Sequence, residues 1–184
     1  MGFFDATGER VAIRRPTAGD RDEFVALMLA SREFHRPWVD PPKTAAAYEE
    51  YLRMRQKPDM DGFLVCVRET GAVAGYVNLN CIVRGFFQSA YLGYAIGAPF
   101  AGKGYMSEAL RLVTRGAFGE MKLHRVEANV QPANAASIAL VRGCGFRREG
   151  FSPRYLQVFG EWRDHERWAL LADEAVLGDT GHGR

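Results

Sequence analysis

The sequence predicts one α/β domain of the α+β kind, in which helices flank a mixed and mostly antiparallel sheet. The chain has 184 residues, which suits a single domain with a substantial core. Strand-like segments joined by short turns occupy residues 63–96, and such turns predict antiparallel pairing. A strand, a glycine loop, a helix and another strand follow between 92 and 130, and this order predicts one parallel pair.

Alternating and helically spaced apolar residues place the elements along the chain. Strands are predicted over 10–14, 63–67, 73–79, 88–96 and 124–130, from Phe146 onward, and over 161–168. Helices are predicted over 20–33, after a Thr44 cap, after the glycine loop and after an Asn134 cap. Residues 34–42 hold three prolines and form an irregular loop that either closes the core or lines a pocket. We expect the domain to cover 1–177 and a disordered tail to cover 178–184.

Composition favours a cytoplasmic protein that binds neither nucleic acid nor membrane. A net charge of +2, with 47% hydrophobic and 25% charged residues, gives no electrostatic attraction to nucleic acid or anionic lipid. No apolar run approaches the roughly 18 residues of a membrane span, and no secretory signal precedes the domain. Three widely spaced cysteines and four histidines fit neither a disulfide framework nor a metal site. We therefore expect no metal, and a structural role for His165 on an edge strand.

The segment from Leu92 to Met106 is the part of the sequence that most clearly indicates a ligand. An apolar strand ends at Ile96, a Gly-Ala-Pro turn follows, and the Gly-Lys-Gly loop 102–104 leads directly into an amphipathic helix. A helix N-terminus carries unpaired N–H donors and about half a positive charge. The loop is therefore suited to a phosphate or pyrophosphate.

Three phosphate ligands are candidates for this loop. A nucleoside triphosphate loop needs Ser or Thr after Gly-Lys, but Gly104 and Tyr105 follow Lys103. A dinucleotide fingerprint needs a third glycine where Ser107 stands, and its doubly wound fold does not begin with several antiparallel strands. Coenzyme A is the third candidate, with its pyrophosphate at the same helix end. By itself, Gly-x-Gly is more typical of a plain tight turn than of any of these sites.

Longer runs around the loop resemble a known family. Residues 92–110, Leu-Gly-Tyr-Ala-Ile-Gly followed by Ala-Gly-Lys-Gly-Tyr-Met-Ser-Glu-Ala-Leu, are similar to the Gcn5-related N-acetyltransferases (GNAT). Residues 124–137 and the Gly-Phe-x-x-Glu-Gly run at 145–150 resemble the RimJ/RimL-like branch, which acetylates N-terminal residues of ribosomal proteins. Tyr-Leu-Gly-Tyr at 91–94 and Gly-Glu-Trp-Arg-Asp-His at 160–165 are most similar to the RimJ type. The resemblance covers nearly the whole chain and implies a GNAT-like domain that uses acetyl-CoA.

The resemblance also implies which residues hold acetyl-CoA. Backbone groups of Tyr94 and Ile96 would pair with the pantetheine arm, and a loop segment would wrap the pyrophosphate: Ala101, Gly102, Lys103, Gly104, Tyr105 and Met106. Asn134 would bind the pantetheine, and Ser137 would donate a hydrogen bond to the leaving sulfur. The alternative is that Asn134 is only a helix N-cap. That alternative does not explain Ser137, because a capping box has Glu or Gln at its position.

Two positions depart from the family pattern. Pro99 stands where relatives usually have Arg or Gln, so backbone amides and Lys103 would hold the pyrophosphate. Tyr91 stands where many relatives carry an acid, so no general base is assigned there. A protein α-amine, with a pKa of about 7.7–8.0, is partly neutral at physiological pH, whereas a lysine, at about 10.4, needs a stronger base. An N-terminal acceptor is therefore more compatible with Tyr91 than a lysine.

The acceptor side of the site is less defined by the sequence. Glu127 and Asn129 share a strand face and could order a water that takes the amine proton, although a salt bridge is the simpler role for Glu127. Trp38, Tyr91 and Tyr155 are candidate walls of the acceptor pocket, although aromatic residues are more often core. Three functions stay open: acetylation of a protein N-terminus, such as that of a ribosomal protein; acetylation of a small amine; and CoA binding without turnover.

Overall fold

The computed structural model of the chain describes residues 5–178. Within them the strands are β1 (Ala6–Thr7), β2 (Val11–Arg14), β3 (Asp61–Val67), β4 (Val73–Val83), β5 (Ser89–Ile96), β6 (Arg125–Val130), β7 (Arg147–Val158) and β8 (Glu161–Leu171). The α-helices are α1 (Arg21–Ala30), α2 (Arg32–His35), α3 (Ala45–Arg55), α4 (Tyr105–Gly119), α5 (Ala135–Gly143) and α6 (Ala172–Gly178). β1 and α6 have no counterpart among the predicted elements. The expected tail from 178 onward lies outside the described residues, apart from Gly178, which ends α6.

The described strands form one sheet in the order β1-β2-β3-β4-β5-β6-β8-β7. Neighbouring strands in it run antiparallel, except that β5 and β6 are parallel. The helix α4 connects β5 to β6, because parallel strands need a crossover connection. The predicted α/β domain, with a mixed and mostly antiparallel sheet flanked by helices, is confirmed.

Two hydrophobic cores lie on opposite faces of this sheet. The larger packs α4 and α5 against the strands and includes Leu110 of α4 and Leu92 of β5. The smaller packs Phe24 of α1 and Tyr48 of α3 against strand residues that include Ala95. Because side chains alternate along a strand, Leu92 and Ala95 point to opposite faces. We call these the α4–α5 face and the α1–α3 face.

Local features of the described chain confirm some predictions and correct others. Thr44 caps α3, since its hydroxyl accepts a hydrogen bond from the Ala47 N–H at 3.2 Å. The helix predicted over 20–33 is interrupted at Ser31, whose buried hydroxyl accepts the Ala98 N–H at 2.9 Å. The prediction of an edge strand for His165 is wrong, because β8 lies between β6 and β7. All three cysteines are free thiols. Among the helices of residues 5–178, none has the length and apolar composition that a membrane span requires.

Candidate active site

The strands β5 and β6 separate halfway along their length. They pair only where Ser89–Leu92 faces residues 125–128. Beyond this point β5 continues beside β4 to Ile96, while β6 continues beside β8 to Val130. The Ala95 carbonyl faces β4, where a Cβ on Gly75 would collide with it. The carbonyls of Tyr94 and Ile96 therefore face the gap between β5 and β6.

A cleft of 1220 Å³ runs through this gap and brings most of the predicted residues together. Its lining includes Trp38, Tyr91, Tyr94, Ile96, Ala101, Gly102, Gly104, Tyr105, Met106, Asn129, Asn134, Ser137 and Tyr155. Lys103 does not line the cleft, and its backbone carbonyl accepts a hydrogen bond from Arg10 at 2.8 Å. Residues of the proline-containing loop after α2 also line it, so that loop borders the candidate site.

The glycine loop has the geometry that an anion site at a helix end requires. Gly102 and Gly104 adopt φ values of 71° and 77°, a left-handed conformation that is strained for other residues. A Cβ on Gly102 would meet no atom within 4 Å, so conformation rather than space favours glycine there. Gly104 is the N-cap of α4, which has 15 residues. The unpaired N–H groups of the first turn and the positive end of the helix dipole therefore lie at this loop.

Arg10, which lies outside every predicted motif, holds the loop from the side. Its Nη1 donates to the Lys103 carbonyl at 2.8 Å, and its Nε donates to Oε2 of Glu108 at 3.2 Å. Its backbone N–H donates to Oε1 of the same carboxylate at 2.9 Å. Although burial opposes it, hydrogen bonds from the backbones of Arg10 and Val11 lower the pKa of Glu108, which keeps the carboxylate ionised. Sequence reasoning missed Arg10 because 93 positions separate it from Lys103.

The start of α5 forms the wall of the cleft on the α4–α5 face. Asn134 caps the helix, since its Oδ1 accepts the Ser137 N–H at 3.1 Å. The Ser137 hydroxyl lies 2.6 Å from the hydroxyl of Tyr94. Burial raises the pKa of Tyr94 to about 12, although the Ser137 hydrogen bond opposes the rise. The family resemblance implies only a backbone role for Tyr94, and its side-chain contact with Ser137 is seen only in the structure.

Residues 35–38 connect the two separated strands. The Nε2 of His35 lies 2.9 Å from the Ile96 carbonyl, and Nε2 of Gln131 donates to the carbonyls of Pro37 and Trp38, at 3.2 Å each. Burial lowers the pKa of His35, although its bond to Ile96 opposes the shift. The ring is therefore neutral at pH 7 and uses its Nε2–H as the donor to Ile96. The Ile96 carbonyl, one of the backbone groups predicted to pair with pantetheine, thus already accepts a hydrogen bond.

The α1–α3 face of the gap carries the predicted acceptor residues. Tyr91 lies opposite Glu127 in the ladder between β5 and β6. Burial, followed by the negative charge of Glu127 and a hydrogen bond with Tyr155, raises the pKa of Tyr91 to about 12. Glu127 accepts a hydrogen bond from Arg125 at 2.9 Å, which confirms its salt-bridge role. Asn129 has a buried Oδ1 without a hydrogen-bond partner in the described residues, so this oxygen is available to an N–H group of a ligand.

Two further polar side chains line the same side of the cleft. Asn80, on β4, accepts a hydrogen bond from Nη1 of Arg55 at 2.8 Å, and sequence reasoning missed it. His165 donates from Nδ1 to the Arg163 carbonyl at 3.0 Å, and its ring centre lies 6.3 Å from that of Tyr155. Burial lowers the pKa of His165. In the part of the chain that the structure describes, no group of three or more His, Cys, Asp or Glu side chains is placed to hold a metal.

Comparisons with known proteins agree with this geometry. Residues 10–147 match the family described as an acetyltransferase (GNAT) domain. The chain is 42% identical over 180 residues to the ribosomal protein uS5-alanine N-acetyltransferase of Escherichia coli (strain K12), with 94% of this chain and 93% of that protein covered. RimJ of Mycobacterium smegmatis, solved in complex with CoA-disulfide, has a TM-score of 0.81 and 26% identity, with 92% and 89% of the two chains covered.

A more distant solved structure shows how widely this fold is used. A spermidine N-acetyltransferase chimera of SpeG from Vibrio cholerae and hSSAT has a TM-score of 0.78 at 21% identity, with 91% and 99% of the chains covered. At this identity the likeness concerns the fold alone. The family match and the close relative confirm the resemblance to the GNAT superfamily and its RimJ/RimL-like branch. The chain therefore belongs to the GNAT family and is an N-acetyltransferase.

Proposed function

We propose that the protein transfers the acetyl group of acetyl-CoA directly to the α-amine of a protein N-terminus. The observation that carries this proposal is the gap between β5 and β6. The gap joins a glycine loop suited to a pyrophosphate with a cleft that also reaches the α1–α3 face of the sheet. A cofactor arm and an acceptor amine would therefore meet in the gap from opposite faces.

The residues around the loop fit coenzyme A. The N–H groups of residues 101–106 would hold the pyrophosphate, and the open edge of β5 at Tyr94 would pair with the amides of the pantetheine. Asn134 would bind the pantetheine while it caps α5. Lys103, whose ammonium lies 6.0 Å from the Phe100 ring centre, would add positive charge near the pyrophosphate, because Pro99 lacks the polar side chain that relatives usually have as Arg or Gln.

Ser137 is the residue proposed to assist the leaving group. In the reaction the amine nitrogen bonds to the thioester carbonyl carbon, the C–S bond breaks and the electron pair leaves with the sulfur. The nitrogen loses one proton, and the released thiol gains one, with water as the carrier. The Ser137 hydroxyl would donate a hydrogen bond to the sulfur as negative charge develops there.

The acceptor side fits a single uncharged amine better than a polyamine. Asp40 is the one carboxylate among the described residues that line the cleft, and it already pairs with Lys43. A polyamine carries several ammonium groups, which such a lining does not complement. Asn129 Oδ1 would accept an N–H of the attacking amine, and Trp38, Tyr91 and Tyr155 would form the walls around it.

The close relative supports a ribosomal protein as the acceptor. That relative is named for the alanine of ribosomal protein uS5, and its likeness covers nearly the whole of both chains. An N-terminal α-amine, with a pKa of about 7.7–8.0, is partly neutral at physiological pH and needs only a weak base or an ordered water. Ribosomal proteins are present in the cytoplasm, the compartment that the cysteine pattern favours.

Acetyl transfer to three amines tests the acceptor. The first is a peptide that begins with Ala or Ser, the second is the same peptide with a blocked N-terminus and an internal lysine, and the third is spermidine. We expect mass spectrometry to find one acetyl group, on the N-terminal nitrogen of the first peptide. Absence of transfer to every N-terminal peptide would rule out this acceptor class, and transfer to spermidine would support the small-amine alternative.

A further inference from the structure

We propose that the Tyr94 side chain is a positioning residue, whose hydroxyl directs the proton of Ser137 toward the sulfur of the leaving group. The inference deepens the proposed function and rests on the role given there to Ser137. It concerns the Tyr94 hydroxyl, whereas the family resemblance concerns only the backbone of that residue.

The fold fixes both hydroxyl groups on the α4–α5 face of the gap. Tyr94 packs against the larger core from β5, and its hydroxyl lies 2.6 Å from the Ser137 hydroxyl. Ser137 is held from its backbone as well, because its N–H donates to Oδ1 of Asn134 at 3.1 Å. The serine is thus oriented by one contact to its backbone and by another to its side chain.

The number of available partners determines the direction of the hydrogen bond. Each hydroxyl has one proton, and the Ser137 hydroxyl is the one hydrogen-bond partner of the Tyr94 hydroxyl in residues 5–178. Tyr94 is half-buried, and its phenol O–H is more acidic than the aliphatic O–H of serine and therefore the stronger donor, so Tyr94 donates and Ser137 accepts. If Ser137 donated instead, the phenolic proton would have no acceptor among residues 5–178. The proton of Ser137 therefore stays available to a ligand in the cleft that both residues line.

Tyr94 keeps the proton that this direction requires. Burial raises the pKa of Tyr94 to about 12, so the phenol stays protonated over the pH range of an enzyme assay. A phenol that donates to the Ser137 oxygen also polarises the serine O–H, which makes that O–H a better donor to a sulfur that is gaining charge. The tyrosine thereby contributes to the chemical step without contacting the sulfur.

A double-mutant cycle with Tyr94→Phe and Ser137→Ala tests the inference. We expect Tyr94→Phe to lower kcat by about 3- to 10-fold, the size of one modest hydrogen bond, while KM for acetyl-CoA and Kd for CoA change by less than about 2-fold. We expect the double variant to be no slower than Ser137→Ala alone, because the phenol acts only through the serine. Steady-state kinetics with the N-terminal peptide and calorimetric CoA titration supply these values.

Tyr48→Phe is the matched control. Its hydroxyl is fully buried in the smaller core and donates to the Thr17 carbonyl at 2.9 Å, so the variant loses an equivalent group away from the cleft. We expect it to keep the wild-type kcat. A Tyr94→Phe variant with wild-type kcat, or one whose defect multiplies with that of Ser137→Ala, would overturn the inference alone. A Ser137→Ala variant with wild-type kcat would instead overturn the proposed role of the serine, and the inference with it.

Discussion

Ser137 is the single side chain on which the proposed chemistry most depends. Removal of one hydrogen-bond donor to developing negative charge typically slows a reaction by at least about 100-fold, so we expect Ser137→Ala to lower kcat by about that factor. CoA should still bind with an unchanged Kd, because the glycine loop and the open edge of β5 remain. Single-turnover kinetics and calorimetry with CoA measure the two quantities separately.

Ser89→Ala supplies a control for this substitution. Ser89 begins β5, at the end of the strand that is paired with β6 and away from the cleft lining. This variant should keep the wild-type kcat. If Ser137→Ala also kept it, another group would donate the hydrogen bond to the leaving sulfur, and the role proposed for Ser137 would be wrong.

At the scale of single elements, the glycine loop depends on a residue from the other end of the chain. Arg10 holds the Lys103 carbonyl in place and thereby fixes the direction of the loop N–H groups. We expect Arg10→Gln to raise KM for acetyl-CoA by about 3- to 10-fold, the effect of one hydrogen bond worth about 1 kcal/mol on this exposed arginine, with kcat within about 2-fold of wild type. Initial rates at varied acetyl-CoA measure both constants.

Two further variants separate geometry from charge at this loop. Arg10→Lys keeps the positive charge but loses the planar fork that contacts Lys103 and Glu108 together, so it should show most of the same defect. Arg111→Gln removes an arginine from α4, the helix that also carries Glu108. The Arg111 guanidinium donates to the Gly143 carbonyl, and its loss should leave KM for acetyl-CoA unchanged. Wild-type KM in Arg10→Lys would mean that charge alone matters.

The elements were predictable from the sequence to the extent that they depend on local patterns. The Asn134 cap and the amphipathic α4 follow from residues a few positions apart, and the structure has both. The contact of Tyr94 with Ser137 joins residues 43 positions apart and depends on how α5 packs on the sheet. The prediction that His165 lies on an edge strand is wrong for the same reason. The hairpin of β7 and β8 is a local feature, but which of these two strands pairs with β6 depends on distant parts of the chain.

At the scale of the whole molecule, the sheet itself separates the two halves of the proposed reaction. Side chains of β5 alternate between Tyr94, which contacts Ser137 on one face, and Tyr91, which faces the acceptor side. The segment 35–38 connects β5 to β6 through His35 and Gln131. Because His35 and His165 both lie in the cleft and both are buried, the stability of the fold is coupled to their protonation.

This coupling predicts a loss of stability in mild acid. His35 and His165 are each 3% exposed, and burial lowers the pKa of both below that of an unfolded histidine, about 6.5. Below pH 6.5 the unfolded chain therefore binds more protons than the folded one, so the free energy of unfolding falls as the pH drops, by at most about 1.4 kcal/mol per pH unit for each histidine. The fall stops once the folded histidines are protonated as well.

Urea unfolding at several pH values between 7 and 5 measures this slope, and variants assign it. We expect His35→Gln and His165→Gln each to make the slope shallower, because each removes one group that titrates differently in the two states. The buried Asp61 carboxyl has the opposite effect on the slope, because burial raises its pKa. The test is therefore the difference in slope between each histidine variant and wild type. Tyr48→Phe should lower stability equally at each pH and leave the slope unchanged. Slopes that do not differ between the histidine variants and wild type would show that these imidazoles are not held neutral by the fold.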